Sequence, residues 1–202
     1  MTFTGGSTSP KVTEVINNKD FESRYDRLYY STPAFGGARL VASKGVKSSL
    51  DVTELAVWYN GDFGAVGNIA GAFGRSKKDT GAAATGDVVT TGGSVAWLSP
   101  WGLNVMLAAS KESDDDDATS DDKFEYLKVG YKTGAHAVSV DFAKGKDQNA
   151  EGYKADMKGI GYVYSMTKWA EIYSGYRVYS LDRTGEDFND IKIFSLGTRL
   201  KF

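Results

Sequence analysis

The sequence predicts an all-β protein, an antiparallel up-and-down β-barrel that crosses a membrane with its strands. Three observations carry this. The final residues place Phe194, Leu196, Thr198, Leu200 and Phe202 on one side of an extended chain. Ser195, Gly197, Arg199 and Lys201 fall on the other side. Such alternation suits a strand with one face toward lipid and one toward water. The same period of two recurs along the chain, while helical periodicity is weak. Finally, the connections between strands alternate between tight and long, as in outer-membrane barrels.

The strands follow in order from this pattern. Strands 21–31, 36–44 and 52–60 turn Leu28 and Tyr30, then Leu40, then Leu55, Val57 and Tyr59 to one face. Strand 64–75 adds Ile69 and Phe73. Strands 90–98 and 102–110 follow, the latter with Leu103, Val105 and Leu107. Strand 123–132 contributes Leu127, Val129 and Tyr131, and strand 136–144 contributes Val138, Val140 and Phe142. Strands 155–165 and 169–179 add Ile160, Tyr162 and Tyr164, then Ile172, Tyr176 and Val178. Strand 190–202 completes eleven. Most are near the roughly nine to eleven residues that cross a bilayer at a tilt.

Tight turns are expected at 32–35, 61–63, 99–101, 133–135 and 166–168. Long polar loops are expected at 45–51, 76–89, 111–122, 145–154 and 180–189. Tyr59, Trp101, Tyr131 and Trp169 near strand ends suit an interfacial aromatic girdle.

The opposite face is polar or small. It includes Arg27, Arg39, Glu54, Lys128, Asp141, Glu171, Arg177, Arg199 and Lys201. Mid-strand charges on so many strands cannot fill a dry interior. They imply a hydrated lumen, and a wet lumen in a barrel is a conduit.

Composition agrees. The chain has 202 residues, enough for one medium barrel, and 12 Tyr, 10 Phe, 4 Trp and 24 Gly against 3 Pro. Mean hydropathy is −0.35. No run reaches the roughly eighteen apolar residues of a membrane helix, a test that a barrel evades. The net charge of −2 argues against a nucleic-acid partner, and the absence of Cys excludes disulfides and thiolate sites. Residues 1–20 hold no apolar leader core, so the chain reads as mature, leaderless or a fragment.

Arg24-Tyr-Asp-Arg27-Leu-Tyr-Tyr-Ser-Thr-Pro33-Ala-Phe-Gly-Gly37 resembles the Arg-x-Asp-Arg-apolar-Arg-Tyr-Asp-Thr-Pro-x-Phe signature of Gram-negative general porins, in particular the alphaproteobacterial type. Further matches follow in order: Trp58-Tyr-Asn-Gly-Asp-Phe-Gly64, Gly93-Ser94, Pro100-Trp-Gly-Leu-Asn104 and Tyr126-Leu-Lys-Val-Gly-Tyr131. Ser139-Val-Asp-Phe142, Glu171 to Arg177, Tyr179 to Asp182 and Asp190 to Phe202 complete the series. Together they span about residues 12–202.

The resemblance implies a sixteen-stranded barrel in the Gram-negative outer membrane, usually trimeric, that passes small hydrophilic solutes and ions. By the same resemblance the chain corresponds to strands six to sixteen. Residues 1–20 would be a remnant of an inward-folded loop, and 21–202 the transmembrane strands. An odd strand number leaves edges unpaired, and unpaired backbone groups in hydrocarbon each cost several kcal/mol. Three arrangements would relieve this: the chain is part of a longer porin, residues 10–17 add a twelfth strand, or chains meet edge to edge.

The resemblance assigns Arg27 to a cationic wall facing acidic groups on the inward loop, where opposed charges select permeants. Tyr29 and Trp58 stand where that pattern carries Arg, which weakens any expectation of anion preference. Glu14, Asp20 and Glu22 are candidate loop-side acids. The acidic run with Asp114, Asp115, Asp116 and Asp117 is a weak Ca²⁺ candidate, because it lacks the glycine and terminal glutamate of an EF-hand loop. A solvated, self-repelling loop that could bridge to lipopolysaccharide through divalent ions is the alternative.

Enzymatic chemistry has little to build on. His136, the single histidine, lies beside a tight turn with no distinctive nucleophile pattern, and no phosphate-binding or dinucleotide motif occurs. No cofactor is expected. Alternating aromatics that end in Phe202 resemble the signal read by the outer-membrane insertion machinery. A second reading makes the chain a truncated or plugged outer-membrane barrel with a structural or surface-binding role.

Overall fold

The computed structural model describes residues 1–19, 26–47, 50–79, 81, 86–114 and 121–201. One antiparallel sheet dominates it. Its strands are β1 (Asp26–Ser31), β2 (Ala38–Lys47), β3 (Leu50–Asp62), β4 (Asn68–Lys78), β5 (Val88–Leu98) and β6 (Leu103–Asp114). They continue as β7 (Asp122–Thr133), β8 (His136–Lys146), β9 (Lys154–Ser165), β10 (Ala170–Arg183), the two-residue β11 (Glu186–Asp187) and β12 (Ile191–Leu200). From β1 to β10 each strand pairs with its neighbours in sequence, and β12 returns to β10. Among the described residues the sheet does not close: β1 pairs only with β2, and β12 only with β10.

Burial runs opposite to that of a water-soluble sheet. Leu28 is 79% exposed, Leu55 62% and Phe194 69%, whereas the polar side chains of Ser43, Ser76, Thr90, Asp141 and Glu171 are buried. Most of the expected outer residues are exposed, while Tyr59, Ile69, Leu103, Val105, Leu127, Val129 and Val178 are half-buried. Apolar area left in water forfeits roughly 25 cal/mol per Å², so a continuous apolar band belongs in lipid. At one end of this band sits a girdle of rings. Trp101 lies 6.3 Å from Trp97 and 6.5 Å from Tyr131 between ring centres, and His136 lies 5.1 Å from Tyr164.

Two expectations about connections need correction. The stretch 45–51, expected as a loop, is largely paired: Gly45 faces Val52 and Val46 faces Asp51. The stretch 180–189 likewise folds into a hairpin, with Arg183 facing Glu186. Alternating polar residues such as Lys44 and Asp51, an ion pair at 2.9 Å, extend the backbone ladder beyond the apolar band. Hydropathy marks the edge of the membrane, not the end of pairing. The fourth strand also starts later than expected, because Gly64–Val66 forms a 3-10 turn and β4 begins at Asn68.

Residues 1–19 lie against the inner face near the polar connections. Instead of a twelfth strand, 10–17 holds a one-turn helix, α1 (Val12–Val15). Phe3, Val12 and Val15 pack on Phe124, Ala143, Ala155, Met157, Tyr179 and Leu181. Each fully buried side chain of this size contributes roughly 1.5–3 kcal/mol. The helix backbone comes so close to β8 that a Cβ on Gly145 would sit 1.9 Å from the Val15 carbonyl oxygen.

Candidate functional site

The inner face carries its charges in three groups. In the first, Arg27 on β1 reaches Glu54 on β3 across β2, where the Ser43 hydroxyl also donates to Glu54 at 2.6 Å. Glu54 Oε1 is buried and accepts no hydrogen bond among the described residues. Arg39 stands apart, its guanidinium 5.4 Å from the Trp58 ring centre, a cation–π contact.

The second group is a single rung of the sheet. Register places Lys128 opposite Asp141, Asp141 opposite Gly159, and Gly159 opposite Arg177. Arg177 Nη2 donates to Asp141 Oδ2 at 2.9 Å. It spans β9 because Gly159 has no side chain: a Cβ there would meet Asp141 Oδ1 at 2.2 Å. Lys128, Asp141 and Arg177 line a pocket of about 400 Å³ with Ser139, Tyr179 and Ser195. Asp141 is therefore a buried carboxylate with a cation on either side along the rung.

The third group lies at the girdle end. Glu171 is buried, and it pairs with Arg199 at 3.0 Å and Lys201 at 2.8 Å on β12 and its continuation. The three groups bring together every expected wall residue except Arg39. Phe202, Asp115, Asp116 and Asp117 lie outside the described residues, as do Asp20 and Glu22. Asp114 ends β6, and Glu14 pairs with Lys11 at 3.2 Å.

Other contacts tie residues 1–19 to the wall, and sequence reading missed their anchors. Lys19 pairs with Glu112 at 2.9 Å and with Asp122. Burial alone would lower the Lys19 pKa, but its hydrogen bonds to Asp122 and Glu112 outweigh that and hold it above the ordinary lysine value. Gln148 is fully buried; its amide donates to the Asn17 and Lys123 carbonyls at 2.8 and 3.0 Å and accepts from the Asn17 amide at 2.6 Å. Glu186 accepts from both the amide and the hydroxyl of Ser7 at 2.9 Å, and from Arg183 at 2.9 Å. One signal was present in the sequence: Phe124, Tyr126, Met157, Tyr179 and Leu181 are large apolar residues on the watery parity. Apolar residues facing a lumen need a cover, and residues 1–19 supply it.

A family profile described as Gram-negative porin matches residues 1–184. The chain belongs to the Gram-negative porin family. Solved porins share the fold. A refined porin structure superposes with a TM-score of 0.61 at 20% identity, over 86% of this chain and 60% of that one. The anion-selective porin from Comamonas acidovorans gives 0.55 at 20% identity, over 86% and 57%. Acinetobacter baumannii OccAB3 gives 0.59 at 14% identity, over 92% and 58%. The chain thus spans about 60% of the length of these porins. No protein of curated function matches it in sequence. Membership places this porin chain in the Gram-negative outer membrane.

Proposed function

We propose that this chain forms wall of a water-filled channel through which small hydrophilic solutes and ions diffuse passively. The observation that carries the reading is the division of faces. The outward set is apolar and exposed, while the opposite face of the same strands holds Arg27–Glu54, Asp141–Arg177 and Glu171 with Arg199 and Lys201. Paired charges on a wall leave a field across the water that orders solutes by charge. In this reading Arg27, Arg39, Glu54, Lys128, Asp141, Glu171, Arg177, Arg199 and Lys201 line the pore. Residues 1–20 act as an inward segment that narrows it, and 21–202 build the wall. No chemistry is assigned: His136 contacts Tyr162 and Tyr164 in the girdle and faces away from the charged wall.

The partners follow from the same reading. They are outer-membrane lipid, including lipopolysaccharide, the insertion machinery that would read Phe202, and further copies of the chain in a trimer. A plugged barrel with a structural or surface-binding role is the second reading, favoured by the packing of Phe3, Val12 and Val15 on the inner face. Planar-bilayer recording separates the two. Stable ohmic conductance of the reconstituted full chain supports the channel. Silence of the full chain, with conductance after removal of residues 2–19, supports the plug.

A further inference from the structure

The rung next to Lys128, Asp141 and Arg177 is built of small residues. Gly130 faces Ser139, Ser139 faces Gly161, Gly161 faces Gly175, and Gly175 faces Ser195, across β7 to β10 and β12. No side chain on this rung is larger than serine. On its far side the wall gains bulk again, where Val163 faces Tyr173. Ser139, Gly161, Gly175 and Ser195 therefore form a low floor, and the charged rung forms one bank of the same 400 Å³ pocket.

That bank presents cations to the floor. Asp141 is 5% exposed and already holds Arg177 at 2.9 Å. Arg177 is half-exposed, and its planar fork carries further N–H donors beyond the one given to Asp141. To reach Asp141 its guanidinium leans back across β9, toward Lys128 one strand further on. Lys128 forms no ion pair among the described residues. Two cations and one anion leave the pocket with one positive charge. The hydroxyls are also open to a solute. Ser139 makes no hydrogen bond among the described residues, and the Ser195 contact with the Gly175 carbonyl is long, at 3.4 Å.

We infer that this pocket binds a small hydroxylated carboxylate, a solute of the sugar-acid class. Its carboxylate lies between Lys128 and Arg177, where charge-assisted hydrogen bonds hold it. Its hydroxylated chain lies along Gly161 and Gly175 and exchanges hydrogen bonds with Ser139 and Ser195. A volume of about 400 Å³ is at the small end for ligand pockets, which suits a solute of single-sugar size. An apolar acid meets the cations but leaves the serines unpaired. A neutral polyol meets the serines but brings no charge. The inference deepens the channel reading and rests on its wetted inner wall.

The test is isothermal titration calorimetry of the folded full chain in nonionic detergent, with gluconate, hexanoate and sorbitol as probes. Gluconate should bind, and hexanoate and sorbitol should each bind at least about tenfold more weakly. This comparison needs no variant. S139A/S195A should bring gluconate down to the affinity of hexanoate and leave hexanoate unchanged. Gly161→Val fills the floor and keeps every charge, and its Cβ would meet only the Ser139 hydroxyl, at an ordinary 3.4 Å. It should abolish gluconate binding. Absence of gluconate binding, equal affinity for gluconate and hexanoate, or full gluconate affinity in Gly161→Val overturns the site. Inorganic phosphate bound as tightly as gluconate overturns the hydroxylated carboxylate and leaves a plain anion site. Bilayer conductance of the same preparation reports on the channel separately. Conductance without gluconate binding overturns the site and keeps the channel, whereas gluconate binding to a silent chain supports the site and overturns the channel.

Discussion

Arg177 and Asp141 meet over Gly159, two strands apart, through a gap that one missing side chain leaves open. The pair puts a buried carboxylate and a half-exposed guanidinium on the inner wall with Lys128 beside them.

Removing one charge of this group should shift ion preference in a defined direction. Asp141→Asn leaves Lys128 and Arg177 without their counter-charge, so reversal potentials in a salt gradient should move toward anions. Arg177→Gln should move them toward cations. Gly159→Val should separate the pair sterically and alter conductance with no change in net charge. Identical reversal potentials for Asp141→Asn and the parent would remove Asp141 from the pore wall.

The division of faces was legible in the sequence because a period of two needs no knowledge of neighbours. Leu28, Leu55 and Phe194 were assigned outward by parity alone, and they are exposed. The Asp141–Arg177 pair was not legible. It needs the register of three strands at once, and nothing local in 136–179 reports that Gly159 falls between them. The ends of the strands were misjudged for a different reason. Val46 and Asp51 fall in the stretch read as a loop, yet they face each other and extend the ladder into water. The anchoring of residues 1–19 depends on Gln148, whose role comes from burial in a loop, a property that composition does not encode.

The parity argument has a direct energetic consequence. Val140 is on the outer face at mid-strand and Ser139 on the inner face next to it. Val140→Arg should destabilise the folded protein in liposomes by roughly 2–4 kcal/mol, the cost of a cation near the bilayer midplane. Ser139→Arg should cost far less. Reversible denaturant titration in lipid vesicles measures both, and equal costs would contradict the assigned faces.

His136 accepts or donates a hydrogen bond with the Tyr162 hydroxyl at 2.7 Å and stacks on Tyr164. His136→Ala removes one ring from the girdle, which should cost at most about 1 kcal/mol of stability. Single-channel conductance and ion preference should remain those of the parent. A large conductance change would bring His136 back as a functional residue.

Deleting residues 2–19 should enlarge the pore, because Phe3, Val12 and Val15 occupy the inner face beside Phe124, Met157 and Leu181. Deletion also uncovers those apolar side chains, so the expected signature is a higher single-channel conductance with more frequent closures. The milder Val15→Asp should loosen the segment and show the same direction. Unchanged conductance in both would mean that the segment lies outside the path of ions.

The same segment should respond to pH at both extremes, with opposite signs for its two charged anchors. Burial alone would raise the Glu186 pKa, but the Ser7 hydroxyl and amide and Arg183 outweigh it and hold the carboxyl below its ordinary value of 4.5. A depressed acid contributes fully above its unfolded pKa, and the contribution is lost as pH falls through the lower folded value. Lys19 behaves in reverse. Burial would lower it, but Asp122 and Glu112 hold it above its ordinary 10.5, so its contribution is lost as pH rises through the raised folded value. The segment should therefore be held most firmly between these ordinary values and released outside them. Conductance should rise below about pH 4 and above about pH 11 relative to neutrality. Glu186→Gln should flatten the acid step and leave the alkaline one, and the chain lacking residues 2–19 should lose both. An acid step of full size in Glu186→Gln would assign the response to other carboxylates on the wall.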